Sequence, residues 1–194
     1  TDFKGMQYAV YSRQAERLMQ VIQPLLPDDP PNARLLSEWD RLYLKDSMGA
    51  TVFESVYREL IATVFGEYGI GEDAVRHLMD ETSVFANFFG YFDDILCNEG
   101  AEWFDGVNRT TVLGEAVERG IDVKPKPYGK TRKFDVENVF FGGRLPGFLG
   151  FDMNNRSLPG SRATIPQMQI VTMLNREVAV GPSYRMIVEI DRPG

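Results

Sequence analysis

Seven apolar residues, Val52, Phe53, Val56, Tyr57, Leu60, Ile61 and Val64, recur at steps of three and four, and this spacing constrains the chain more than any other feature. It predicts a helix over 50–65 with a broad apolar stripe, and a stripe of that width has to be covered by other elements. Ser47 stands where a side-chain N-cap belongs. Gly66, Gly69 and Gly71 are expected to close the helix.

Covering elements lie on either side. Residues 7–23 place Val10, Ala15, Leu18, Val21 and Ile22 on one helical stripe, ended by Pro24 and then Pro27, Pro30 and Pro31. A helix over 33–44 buries Leu35, Leu36, Trp39, Leu42 and Tyr43, with Glu38, Asp40 and Arg41 toward water, and 45–49 breaks or bends it. A short helix over 72–79 follows. The next, over 84–96 with Thr82 or Ser83 as cap, carries Phe85, Phe88, Phe89, Tyr91 and Phe92 nearly all round, so it is placed between other elements. After a loop over 98–108, Thr110 begins a helix over 111–119 that Gly120 terminates.

Beyond Gly120 the chain changes character. Residues 121–135 read as a proline-bearing connection and 136–141 as a strand, with turns at Gly142, Gly143, Pro146, Gly147 and Gly150. Residues 165–174 and 177–180 read as an antiparallel pair about Asn175-Arg176. Residues 184–190 alternate Met186, Val188 and Ile190 against Arg185, Ile187 and Glu189. Three short strands do not make a stable sheet alone, so they are expected to belong to a larger one. The fold class is α+β: a predominantly helical region over 1–120, then a few antiparallel strands within 121–194, the two sharing a core.

At 194 residues, with 43% hydrophobic and 25% charged residues, the chain can bury a core of ordinary domain size. A net charge of −7 argues against a nucleic-acid partner, because phosphate backbones are met by basic faces. The local basic run Lys124, Lys126, Lys130, Arg132 and Lys133 is broken by Pro125, Pro127 and Gly129, and is read as a solvated loop. A lone cysteine, Cys97, excludes an internal disulfide framework. No apolar run approaches the ~20 residues that cross a bilayer, and residues 1–20 carry no secretory signal pattern.

Candidate chemistry is sparse. His77, the one histidine, excludes a multi-histidine metal site and is read as a surface or packing residue. Asp93, Asp94, Glu99, Glu102 and Asp105 are oxygen donors of the kind calcium prefers, or a glycosidase acid and nucleophile pair, but without the spacing of a dedicated loop they are read as solvated carboxylates. Phe85, Phe88, Phe89 and Phe92 have the character of an acyl pocket but the spacing of helix core, and are read as core. Asn108-Arg109-Thr110 and Asn155-Arg156-Ser157 match the glycosylation sequon, a pattern too short to carry a conclusion. Gly142-Gly143-Arg144-Leu145-Pro146-Gly147 lacks the spacing and the strand-to-helix setting of a nucleotide loop.

Three stretches together resemble a known family. LPGSRATIPQMQI followed by PSYRMIVEI is similar to the late β-chain region of the penicillin acylase (penicillin amidase) family of N-terminal-nucleophile hydrolases. Within ARLLSEWDRLYLKDSMGATVFESVYREL, Leu36, Trp39, Asp40, Asp46, Ser47, Ala50 and Phe53 fit the same family's pattern. The opening QYAVYSRQAERLMQVIQPLL looks like its counterpart there, except that the family usually carries an Asp where this chain has Ala9. The match runs in order over nearly the whole chain.

The resemblance implies a fragment of an αββα fold, the C-terminal part of a β chain, in an enzyme that cleaves a small N-acylated substrate through an acyl-enzyme. Such enzymes use the side chain of a terminal Ser, Thr or Cys with its own α-amino group as base. Thr1 is not read as that nucleophile, because Asp2, Lys4 and Gly5 lead into a helix and the resemblance places this position deep inside the β chain. The family's serine, its oxyanion asparagine, its orienting arginine and the calcium ligands of its better-known members all precede the matched region. None is carried onto a residue here, so no catalytic residue, metal ligand or cofactor is assigned to this chain. Histidines common in related acylases near 139–143 are replaced by Phe140-Phe141-Gly142-Gly143. The implied partners are the α chain, the N-terminal part of the β chain and the substrate, in a periplasmic or extracellular setting, with neither nucleic acid nor membrane. Two rivals remain: a non-catalytic helical protein-interaction module, and an independent enzyme using Asp93, Asp94 or Glu102.

Overall fold

The computed structural model describes residues 3–81, 88–136, 138, 140–141, 143–149, 152–167, 169–170, 178–180 and 186. Helices α1 (Phe3–Met6), α2 (Arg13–Ile22), α3 (Pro31–Ser37) and α4 (Met48–Leu60) are followed by α5 (Glu72–Glu81), α6 (Phe88–Cys97), α7 (Arg109–Ile121) and α8 (Tyr128–Thr131). Strands β1 (Phe134–Val136), β2 (Met153–Arg156), β3 (Gln169–Ile170) and β4 (Val178–Val180) complete the order. The α+β expectation holds, with the helices first and the strands last. None of the described helices is long and apolar enough to cross a membrane.

Helix α4 is the centre of the packing. The Ser47 hydroxyl accepts the Ala50 amide at 3.1 Å, as the sequence predicts. Ala50, Val52, Phe53, Val56, Tyr57 and Leu60 are all buried, which places apolar residues on nearly every side of the helix. Each large buried side chain contributes about 1.5–3 kcal/mol of burial before entropy is charged against it. Helices α3, α7 and α8 pack around α4, while α2 lies against α6.

The helix does not stop at its glycines. Over Ile61–Ile70 it widens into π hydrogen bonding and runs through Gly66 to a kink at Gly69, where φ is −134° and ψ is −115°. The Trp103 indole donates to the Val64 carbonyl at 3.0 Å, and its ring packs 5.0 Å from Phe65. An outside donor thus satisfies a carbonyl that regular α geometry would have used.

Three other expectations shift in instructive ways. The helix expected over 33–44 ends at Ser37, because Arg41 turns to a positive φ of 65° and the Asp40 carboxylate accepts the Leu42 amide at 3.0 Å. The chain then bridges back to Tyr11: the Tyr43 amide donates to the Val10 carbonyl at 3.0 Å. Trp39 and Tyr43 are still buried, so the apolar spacing was right and the helical cause was not. Asn108, not Thr110, caps α7, accepting the Thr111 amide at 3.0 Å. Gly120 lies inside α7, where a Cβ would meet the Val56 Cα at 2.4 Å; it lets the two helices touch backbone to backbone.

Strands β1 and β2 pair antiparallel, Phe134 opposite Arg156 and Val136 opposite Met153. The strand expected over 136–141 is therefore displaced toward the N-terminus. The Asn138 side chain accepts the Phe140 and Phe141 amides at 3.0 and 3.1 Å, a local turn that ends the strand. Strands β3 and β4 pair antiparallel as expected, Gln169 with Val180 and Ile170 with Val178, although Ile165 lies outside the strand and is exposed. The turn at Asn175-Arg176 and all but Met186 of the strand over 184–190 lie outside the described residues, as do Phe85, Thr82, Ser83 and Thr1.

The contact between α4 and α7 is directly testable. Gly120→Ala is expected to cost about 1–3 kcal/mol through the clash with the Val56 backbone. Gly114→Ala, on the same helix with nothing within 4 Å of its Cβ position, should instead gain about 0.5–1 kcal/mol. Urea unfolding of the two variants measures both; equal effects would contradict the packing described.

Candidate functional site

The segment after β2, Ser157 to Gln167, folds back onto the helices and inserts one charged side chain among them. Gly160 has a φ of 110°, and a Cβ there would lie 2.2 Å from the Pro166 carbonyl oxygen, so glycine is required. Its amide donates to the Tyr43 carbonyl at 2.8 Å. The Ser161 amide donates to the Thr164 hydroxyl at 2.8 Å, and that hydroxyl lies within 3.1 Å of the Ser161 and Pro166 carbonyls. This tight turn, within the PGSRATIP stretch, aims Arg162 into the core.

The Arg162 guanidinium lies 4.1 Å from the Phe89 ring centroid and 4.6 Å from that of Tyr57. The planar, delocalised cation is thereby held against two aromatic rings in a setting where cation–π attraction is strong. Asp93, at 7% exposure, lies in the same cluster. Tyr57 donates its hydroxyl proton to Asp93 Oδ1 at 2.7 Å, and the Gln14 side-chain amide donates to Oδ2. Four pieces of chain meet here: Gln14 of α2, Tyr57 of α4, Phe89 and Asp93 of α6, and Arg162 of the turn.

A second cluster adjoins the first. Glu54 of α4 accepts the Tyr43 hydroxyl and the Arg132 Nη2, each at 2.8 Å, and Arg132 lies over the Tyr128 ring at 5.8 Å. Arg132 is 7% exposed, so this member of the basic run is a buried ion-pair partner and not a solvated cation.

The electrostatics follow from burial and mutual pairing. Burial pushes the Asp93 carboxyl above its usual range, and Arg162, Tyr57, Gln14 and Arg17 offset part of that rise. Burial also lifts the Tyr43, Tyr57 and Tyr128 hydroxyls well above theirs, so they remain neutral donors. Burial pulls the Arg162 pKa down, and the acidic groups around it more than offset that, so the guanidinium stays charged. A carboxyl with a raised pKa is often a catalytic group. Here both Asp93 oxygens already accept hydrogen bonds inside the packing, so the arrangement fastens the turn to the helices.

The other residues singled out in the sequence scatter. Asp94 pairs with Arg17 on the surface, while Glu99, Glu102 and Asp105 are exposed. Asp93 thus departs from the solvated reading, and among the described residues no group of three or more His, Cys, Asp or Glu side chains gathers as a metal site. His77 is exposed on α5, and Cys97 is half-buried with its thiol pushed up by burial. Phe88 and Phe92 are core, and Phe89 takes the Arg162 contact. Sequence reasoning missed the buried Arg132 and the half-buried Glu54 and Arg162. For Asp93 a signal existed, because it lies four residues after Phe89 on one helical face.

Asp93 gives the cluster a pH signature. Its folded pKa is raised, so the folded chain binds this proton more tightly than the unfolded chain; the stability it adds is present below the ordinary carboxylate pKa and is lost as pH rises through the folded value. The unfolding free energy of the native chain minus that of Asp93→Asn is therefore expected to fall as pH rises above the ordinary carboxylate pKa and through the folded value. A difference that grows with pH would contradict the assignment.

No curated protein matches this sequence closely enough to count as a relative. The family model for penicillin amidase, however, matches residues 1–194 from end to end, and it takes in the buried turn, the helices that receive it and the strands on either side. The chain belongs to the penicillin amidase family.

Proposed function

We propose that this chain is the C-terminal part of the β chain of a penicillin acylase-like amidohydrolase, and that its role there is structural. Family membership implies hydrolysis of amide bonds. The finer reading is cleavage of an N-acylated small molecule, a β-lactam side chain, an acyl-homoserine lactone or a similar compound, through an acyl-enzyme. The nucleophile belongs to polypeptide outside this sequence, and the enzyme works in the periplasm or outside the cell. The match over residues 1–194 carries the proposal.

Two structural features support it. Four of the described hydroxyls act as caps or turn locks: Ser12 caps α2, Ser47 caps α4, and Ser161 and Thr164 close the Arg162 turn. None of these is set up as a nucleophile beside a base. In addition, the described part of the chain between β1 and β2 exposes large apolar side chains, with Phe148 at 86% and Phe140 at 77%, and Leu149 and, at the start of β2, Met153 are exposed too. Large apolar side chains exposed in one segment are commonly covered by another polypeptide, and the acylase reading supplies one. A stand-alone interaction module would share the surface but not the family match.

The purified chain alone is expected to give no turnover of a chromogenic phenylacetyl or long-chain acyl amide, and to associate in sedimentation. Together with the serine-headed remainder of the β chain and the α chain it should form an active complex. Turnover by the chain alone, or a strictly monomeric 22.0 kDa species that ignores the remainder, would overturn the proposal.

A further inference from the structure

A cleft of about 690 Å³ opens between the connection from α2 to α3 and the C-terminal end of α7. Its volume falls in the range of small-molecule sites. Its chemistry is one-sided. Pro27, Pro30, Pro31 and Pro125 line it together with Ile121, and the proline rings offer C–H surface and no backbone N–H of their own. The Asn32 side-chain amide, which lines the cleft, is spent on the Ile121 and Val123 carbonyls at 2.7 and 2.6 Å. Those bonds also pin the two sides of the cleft together.

The charges at the cleft are Glu118 and Asp122, four residues apart at the end of α7. Neither makes a salt bridge among the described residues, whereas Arg119 between them is turned to Glu67. The helix C-terminus adds its own negative end. Lys124 and Lys126 flank Pro125 in sequence but do not line the cleft. The net charge of −7 favours approach of a cation over the whole surface.

We propose that this cleft binds a small aliphatic primary ammonium ion. The ammonium N–H groups meet the Glu118 and Asp122 carboxylates, and the hydrocarbon body lies on the proline rings and Ile121. An anion would be repelled by the two carboxylates, and a neutral compound of the same shape would leave them unused. The site is independent of the proposed amidase reaction.

Three ligands of one shape test this on the native chain: cyclohexylmethylammonium, cyclohexylmethanol and cyclohexanecarboxylate, titrated by calorimetry and by amide chemical shifts. Saturable binding of the ammonium ion, with shifts centred on Ile121 to Val123, weaker binding of the alcohol and none of the carboxylate is the expected result. Glu118→Gln combined with Asp122→Asn, both exposed positions, should weaken the ammonium ion by about fivefold or more with unchanged thermal unfolding. No saturation by about 10 mM, equal binding of ammonium ion and alcohol, or undiminished affinity in a folded double variant would overturn the proposal. If the double variant does not fold, the order of the three ligands on the native chain decides alone.

Discussion

One buried cation ties the late part of this chain to the early part. Arg162 lies against the rings of Tyr57 and Phe89, beside an Asp93 carboxylate that Tyr57 and Gln14 hold in place. Burying two opposite charges is costly, and a direct gain in stability is not the reason to expect such an arrangement. What it provides is a single place for the turn. An apolar residue at 162 would fit many positions on an apolar helix surface, whereas a guanidinium is held at the one place where the Tyr57 and Phe89 rings both meet it.

The rest of the fold prepares that place. Gly120 brings α7 against α4 at backbone distance, which fixes the helix that carries Glu54 and Tyr57. The bridge between Tyr11 and Leu42 sets α2, with Gln14, beside the aromatic pair Trp39 and Tyr43. Tyr43 then contributes twice, its hydroxyl to Glu54 and its carbonyl to the Gly160 amide. The two polar clusters are thus parts of one seam running along α4, where segments far apart in sequence are joined by donors and acceptors that have few alternatives inside the packing.

The sequence carried the helical half well, because α4, α5 and α7 present regular apolar spacing and the cap at Ser47 is a local signal. It failed where backbone and side chains follow different rules. Tyr43 keeps its helical spacing after the helix has ended at Ser37, since a bridge to Val10 buries it equally well. Nothing in the composition of 61–70 marks the widening to π geometry, which depends on Trp103 arriving from elsewhere. Resemblance picked out PGSRATIP, but its physical content, a glycine at positive φ and a threonine locking the turn around one arginine, becomes visible only when Tyr57 and Phe89 are brought against it. Asp93 and Arg132 were taken for solvated charges because sequence counts ionisable residues as exposed unless a partner is known. Their partners lie 79 and 78 residues away.

The central claim is that Arg162 holds the turn on the helices. Native-state hydrogen exchange in Arg162→Met, a substitution that keeps the length and removes the charge, measures this most directly. The account predicts that the Gly160 and Ser161 amides exchange at least about tenfold faster, while the amides of α4 and α7 keep their protection. Unchanged exchange at Gly160, or an equal loss throughout α4, would contradict it.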